Sequence, residues 1–374
     1  EMTINILHLT FDMRIGGTEQ VIKNLILGAD KNRFTMSVLC IESPLGPFAE
    51  DLIAQNIHIR ALSRKPGFDV SLIGQIRKHI LEHKIDIIHC HQYTPYVYGV
   101  LGALFTSAKV IFTEHGRFYP DSTTWKRKLI NPVLHKFTAA TTAISAATRD
   151  ALVEFEYLPH GDIDVIYNGI IGVAANTESV AKLHETFDLP QDCILFGTIA
   201  RLDPIKNHSM MLRAFKRVID AGTNAKLLIV GDGDERANVD ALIDELGLSE
   251  NVIMTGYEPK PHNHLGLMDI YLLPSLSEGT SMTLLEAMSL SKPCIVTDAG
   301  GNPEIVVHNQ TGLVTPNNDE HAYAHAMITL AKDHAQQTTF GVAAKARFEQ
   351  TFSINNMTHA YQALYCQLCS NHVN

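Results

Sequence analysis

Short apolar runs of strand length alternate with helix-length amphipathic patterns along most of this 374-residue chain, and that alternation restricts the fold more than any other feature. Strand-like runs fall at 4–9, 34–41, 57–61, 85–90, 108–113 and 138–144, with helical patterns between them near 17–29, 47–56, 69–84, 95–106, 125–137 and 146–156. The scheme then repeats. Strands are expected at 193–199, 225–230, 251–254, 269–273 and 293–297, and helices near 207–221, 234–246, 281–291 and 319–334. Strands that are apolar throughout and separated by helices belong to parallel sheets covered on both faces. Residues 166–176 lose the pattern and carry Gly169 and Gly172, so they read as a linker. The expected fold is therefore α/β, with two Rossmann-like domains at 1–168 and 169–352 whose parallel sheets face each other across a cleft.

Charge excludes some functions. Residues 1–168 hold 17 Lys+Arg and 17 Asp+Glu, whereas residues 169–374 hold 13 and 23. A nucleic-acid binder shows a basic domain, and neither half is one. The neutral first half approaches an anionic membrane more easily than the acidic second half. No apolar run reaches the roughly 18 residues that span a bilayer, and the first residues read as a strand rather than a secretory leader. Six scattered cysteines fit a reducing cytoplasm.

In such sheets ligands bind beyond the C-terminal strand ends, where loops lead into helices. Ile15-Gly16-Gly17-Thr18-Glu19 opens the first helix, and its glycines let a ligand approach the free N–H groups there. In the second half, Arg201 and Lys206 flank Pro204 after a strand and can clamp a diphosphate, Arg as a fork and Lys as a point charge. Gly231-Asp232-Gly233 begins like a dinucleotide fingerprint, but Arg236 takes the place of the third glycine. Glu278 ends a loop, Ser281 can cap the next helix, and the N–H groups of 280–283 offer an anion site. Glu286 lies two turns in, where a buried carboxylate can accept two hydrogen bonds from a vicinal diol. Taken singly, Glu278 reads as a first-turn helix acid and Glu286 as a solvated one.

Glu114-His115-Gly116 ends a strand of the first half, where a histidine can bond a sugar hydroxyl. His89 and His91 bracket Cys90, and only one of that pair is expected to face the cleft. No His/Asp/Cys set shows metal-ligand spacing. Trp125, the single Trp, precedes Lys126, Arg127 and Lys128 and the apolar Leu129, Ile130, Val133 and Leu134, a pattern suited to an anionic membrane surface, although Pro132 interrupts it.

As a set, these motifs resemble the retaining, GT-B-fold glycosyltransferases of sequence family 4, over nearly the whole chain and in order. The matching residues are Gly16-Gly17-Thr18-Glu19, Glu114-His115-Gly116, Asn168-Gly169, Arg201 with Lys206, Gly231 through Glu235, Glu278 through Glu286, and Gly300-Gly301-Asn302-Pro303-Glu304. Glu278 and Glu286 carry the family's paired-glutamate spacing, eight positions apart. Two departures stand out: Ile170-Ile171-Gly172 replaces an acid after the linker's Asn-Gly, and Gly279-Thr280-Ser281-Met282-Thr283 replaces the usual Gly-Phe-Gly and proline.

The resemblance implies a GT-B architecture whose last helix, about 353–374, returns to the first domain. It implies that Arg201 and Lys206 hold the diphosphate of a UDP- or GDP-linked sugar, approached also by Gly16 and Gly17. Glu286 would bind the ribose diol, Glu278 the transferred sugar together with Thr280, Ser281, Met282 and Thr283, and His115 a hydroxyl of that sugar. His91, Glu114 and Trp125 would lie on the acceptor side, toward a glycan or lipid-linked acceptor. The sugar would be transferred with retention, without a cofactor and without a metal ion, by a cytoplasmic protein able to sit peripherally at the cytoplasmic face of the membrane. The alternatives are a nucleotide-sugar 2-epimerase on the same fold and a non-catalytic nucleotide-sugar-binding protein.

Overall fold

The computed structural model describes residues 3–117 and 119–370, so residues 371–374 of the expected last helix lie outside the described residues. The chain forms two compact units, dividing after Gly169 and again after Ser353.

The first unit is built on a parallel sheet of seven strands: β1 Ile4–Thr10, β2 Phe34–Cys40, β3 His58–Ala61, β4 Ile87–His91, β5 Lys109–Glu114, β6 Ala140–Ala143 and β7 Ile163–Val165. Their order is β3-β2-β1-β4-β5-β6-β7, with crossover helices between them. The second unit has six: β8 Ile194–Ile199, β9 Ala225–Val230, β10 Val252–Gly256, β11 Ile270–Leu273, β12 Cys294–Thr297 and β13 Gly312–Thr315, in the order β10-β9-β8-β11-β12-β13. Both orders reverse beside the first strand of their unit, the topological switch point at which such sheets bind ligands. The edge strands β7 and β13 escape the sequence reading because each is short and of mixed polarity. The helices Thr177–Thr186, His262–Leu267 and His334–Arg347 also went unread.

The central strands of the first unit have two different faces. Leu7, Leu9, Ile88, Cys90, Val110 and Phe112 point into an apolar cluster. The alternate positions His8, His89, His91 and Thr113 point the other way and are fully buried as well. The helix Ile354–Ser370 covers that polar face, and Tyr365 and Tyr361 reach down from it to His89 and Thr142. Two-residue alternation places His89 and His91 on one face, with ring centroids 4.2 Å apart, so the expected split, with only one of the pair facing the cleft, does not hold: the two point the same way.

The helix Trp125–Lys136 runs through Pro132, which was expected to interrupt it. A proline there forfeits one amide donor. Among the described residues, no helix is long and apolar enough to cross a membrane.

Candidate active site

In the second unit, two strand-end loops are locked together. The residues after β8 turn through a short helical segment, Pro204–Lys206, capped by the Asp203 side chain, which accepts from the Ile205 N–H at 3.1 Å. The loop after β11 joins it, the Leu276 N–H donating to the Ile205 carbonyl at 2.8 Å. This brings Lys206 Nζ to 2.7 Å from Glu278 Oε1, which also accepts from the Ser275 hydroxyl at 2.6 Å. The Glu278 side chain is only 6% exposed, so a buried carboxylate is held by one ammonium and one hydroxyl. Arg201 differs: its side chain is 78% exposed and lies 3.6 Å from Asp203, free to fold onto an incoming anion.

Gly300 fixes this loop from behind. Its φ is +52°, and a Cβ there would collide with the Glu278 carbonyl, the same carbonyl that accepts from the Gly301 N–H at 3.2 Å. The Gly-rich run after β9 does similar work. Gly231 has φ +136°, a Cβ on it would strike the Ala200 carbonyl, and Leu202 N–H donates to the Asp232 carbonyl at 3.0 Å. The Gly231 turn therefore packs against the Arg201 loop, which accounts for its glycine without a cofactor.

Ser281 caps the helix Met282–Ser289, accepting from the Leu284 N–H at 3.2 Å. The first-turn amides of Met282 and Thr283 have no intrahelical partner, as at any helix start, and carry the positive end of its dipole. The Thr283 hydroxyl is taken by Tyr271 at 2.7 Å and the Ile199 carbonyl at 3.2 Å, so Thr283 can offer a ligand only its backbone. Thr280 and Met282 are half-buried beside Ser281. Glu286 is not a solvated helix acid: its side chain is 21% exposed, and burial pushes its carboxyl up to about 7. The His262 imidazole stands beside it, with Nε2 3.6 Å from the carboxylate.

In the first unit, Gly16 caps the helix Gly17–Leu27 without any side-chain bond, and nothing lies within 4 Å of a Cβ built on Gly17. That helix start is open, apart from the Glu19 carboxylate, which folds back onto its own N–H and is pushed up chiefly by burial.

The chemistry-bearing part of this unit is a chain of imidazoles. His8 Nδ1 lies 2.9 Å from His91 Nε2, and His91 Nδ1 lies 2.7 Å from His115 Nε2. Burial lowers His8 and His115 to about 3 and holds His91 well below its ordinary value, so all three are neutral at pH 7. Their tautomers then follow from one atom. His8 Nε2 faces the Met36 sulfur at 3.2 Å, and a thioether cannot donate, so that nitrogen carries the hydrogen. His91 Nε2 must then donate to His8, and His115 Nε2 to His91. His115 Nδ1 is left as a bare, buried acceptor with no partner among the described residues.

Gln92 holds the end of β4 in the rare φ of +73°, while its amide spans from the His115 N–H at 3.3 Å to the Thr18 hydroxyl at 3.3 Å. Strain of this kind persists where surrounding contacts over-determine it, often at functional sites. Nothing in the sequence marks Gln92.

Beside it is a cavity of about 340 Å³ lined by Gln92, Tyr93, Glu114, Arg117, Arg127 and Glu156, among others. Arg117 pairs with Glu156 at 2.9 Å, Asp121 at 2.8 Å and Glu114 at 3.4 Å, and Arg127 pairs with Glu156 at 2.7 Å. Burial pushes Glu114 up to about 7 in spite of Arg117. Of the expected acceptor-side residues, Glu114 lines this cavity. His91 does not serve there, since it is fully buried with both ring nitrogens taken by other histidines. Trp125 stands 70% exposed at the start of the helix that supplies Arg127.

The sequence model of Glycosyl transferases group 1 matches residues 179–347, and that of Glycosyltransferase Family 4 matches residues 15–171. The chain belongs to the group 1 glycosyltransferases. Its two parallel Rossmann-like sheets are the GT-B architecture of that family. It is 24% identical over 332 residues to N-acetyl-alpha-D-glucosaminyl L-malate synthase of Bacillus anthracis, covering 85% of this chain and 86% of that one. It is also 24% identical over 348 residues to UDP-Gal:alpha-D-GlcNAc-diphosphoundecaprenol alpha-1,3-galactosyltransferase of Escherichia coli, covering 88% of each. Among solved structures, Anabaena HepE in complex with UDP superposes with a TM-score of 0.84 at 19% identity, covering 96% of this chain and 99% of that one.

Proposed function

We propose that this glycosyltransferase moves a sugar, with retention at the anomeric carbon, from a UDP-linked donor to a glycan or lipid-linked acceptor in bacterial-type polysaccharide or glycolipid synthesis. The observation that carries the reading is the Lys206–Glu278 pair beside an open helix start, eight residues ahead of the desolvated Glu286. Lys206 and the exposed Arg201 neutralise charge growing on the leaving diphosphate, helped by the amides of Met282 and Thr283. Glu286 takes the ribose diol. The bare Nδ1 of His115 accepts a hydrogen bond from a hydroxyl of the transferred sugar. The arginine-lined cavity beside Glu114 takes the acceptor. Uridine is chosen because HepE is found with UDP and the E. coli relative is named for UDP-Gal.

Proton NMR of the product from a UDP-sugar and a polyprenyl-diphosphate sugar acceptor tests this. The expected product has the donor's anomeric configuration, formed at full rate in excess EDTA, because two side-chain cations replace a divalent ion. An inverted product removes retention. An epimerised donor formed without acceptor would favour the epimerase. Activity lost in EDTA and restored by magnesium or manganese overturns metal independence, with Asp232 and Asp234 the first residues to change.

The acceptor is proposed to reach the enzyme at a membrane. The helix Trp125–Lys136 and the residue after it expose Trp125, Leu129, Ile130, Val133 and Phe137. Those side chains recur at three- or four-residue steps, with Leu129 and Ile130 adjacent, beside Lys126 and Lys128, the composition of an interfacial helix on anionic lipid. Flotation with phosphatidylglycerol vesicles should recover the protein, and Lys126→Glu/Lys128→Glu should abolish recovery. Arg127 is left intact because it pairs with the buried Glu156. No flotation of the unaltered protein removes the membrane contact.

A further inference from the structure

The fold assembles two histidine trios, which corrects the expectation that no His/Asp/Cys set has metal-ligand spacing: His79 and His83 lie four residues apart along one helix. In His8, His89 and His91 every ring nitrogen is already bonded: to one another, to His115, to Met36, to Thr113 or to Tyr365. Their lone pairs are spent. The second trio is His58, on edge strand β3, with His79 and His83 from the helix Val70–Glu82 and its C-cap. Here the accounting comes out differently. His79 is fully buried, and among the described residues neither of its ring nitrogens has a hydrogen-bond partner. Two orphaned nitrogens on one buried imidazole are rare in a native protein and call for an unseen partner.

The geometry supplies a candidate. His79 and His83 stand at the i, i+4 spacing that stacks side chains on one helix face, with centroids 4.2 Å apart. His58 closes the group from the strand, 5.0 Å from His83 and 6.0 Å from His79 between centroids. One ligand atom from each lies within 4.8 Å of the others. Around a tetrahedral ion with bonds of about 2.0–2.1 Å, nitrogens sit roughly 3.4 Å apart. Closing that gap needs only small rotations of His58 and His83, both exposed at the surface.

We propose that His58, His79 and His83 form a binding site for one divalent transition-metal ion of the zinc class, tying edge strand β3 to the helix Val70–Glu82. Three neutral imidazoles with an open fourth position suit zinc, and also nickel and copper(II). Arg60, two residues along the strand from His58, places a like charge beside the trio and would weaken cation binding. These residues are separate from those assigned to glycosyl transfer, so the proposal stands whether or not that reading does.

The test uses the whole, chelator-treated protein titrated with zinc chloride, read by calorimetry and by melting temperature. One equivalent should bind and raise the melting temperature. His58→Ala and His83→Ala, both at exposed positions, should each weaken binding about tenfold or more. Arg60→Ala should tighten it. Zinc-edge absorption should show nitrogen ligands at about 2.0 Å. No binding, or binding unchanged in both alanine variants, overturns the site. The single exposed-residue variants keep the outcome readable if His79→Ala does not fold.

Discussion

Replacing Glu278 with alanine is expected to lower turnover by about 10²–10³-fold while the dissociation constant for UDP moves by only a few-fold. The substitution touches the carboxylate alone. The Glu278 carbonyl, which accepts from Gly301 and sits against Gly300, remains, so the loop keeps its course. What is lost is the charge that orients Lys206 at 2.7 Å and accepts from Ser275 at 2.6 Å. Without it, Lys206 is still present to meet the diphosphate, and is even less engaged by the protein, so nucleotide affinity holds. Turnover falls because the ammonium is no longer fixed where charge develops and the sugar loses its carboxylate partner. Steady-state kinetics and calorimetry with UDP separate the two quantities. A loss of UDP affinity equal to that in Glu286→Ala would remove this division of roles.

The double strand–helix alternation was legible because apolar runs bounded by turns identify buried parallel strands. The edges were not: in β7, Ile163-Asp164-Val165 is too short and too polar to register. The site divides along the same physical line. Gly16, Arg201, Lys206 and Glu278 sit at strand ends and helix starts, and Glu286 inside the helix that follows, positions a pattern can locate. Which of them touch one another depends on loop packing between sequence-distant segments. The Leu276–Ile205 bond that pairs Lys206 with Glu278 has no local signature.

The imidazole chain was hidden for a different reason. His8, His91 and His115 come from three strand ends, β1, β4 and just past β5, that are neighbours only in the sheet. Reading β4 as uniformly apolar concealed that one face of it is polar. The two-residue spacing of His89 and His91 did carry the information that they share that face, as the spacing of His79 and His83 carried the i, i+4 pairing of the second trio. In both cases a sequence period was present, and its meaning depended on what the covering element supplied.

Replacing Glu286 with glutamine should abolish most donor binding and yet make the protein more stable at alkaline pH. Burial alone raises this carboxyl from 4.5 to about 7. The folded state therefore holds its proton more tightly than the unfolded chain does. Between those values stability falls as pH rises, and by about pH 8 the full penalty of a buried carboxylate is present. At 1.36 kcal/mol per unit, that penalty is at most about 3 kcal/mol. Glutamine fills nearly the same volume and carries no charge, so its melting temperature relative to the unaltered protein should rise from about pH 5 to about pH 8. Glu114, also pushed up to about 7, is common to both proteins and cancels in the difference. Binding should run in the opposite sense. A diol donates two hydrogen bonds, and only the ionised carboxylate accepts both. The affinity of the unaltered protein for a UDP-sugar should climb up to about tenfold per pH unit below 7 and level off above it, whereas Glu286→Gln should bind weakly at every pH. Melting curves and calorimetry across that range check both halves. A melting-temperature difference that does not change with pH would show that the carboxylate is not desolvated, and a glutamine variant with undiminished donor affinity would show that it is not the diol's partner.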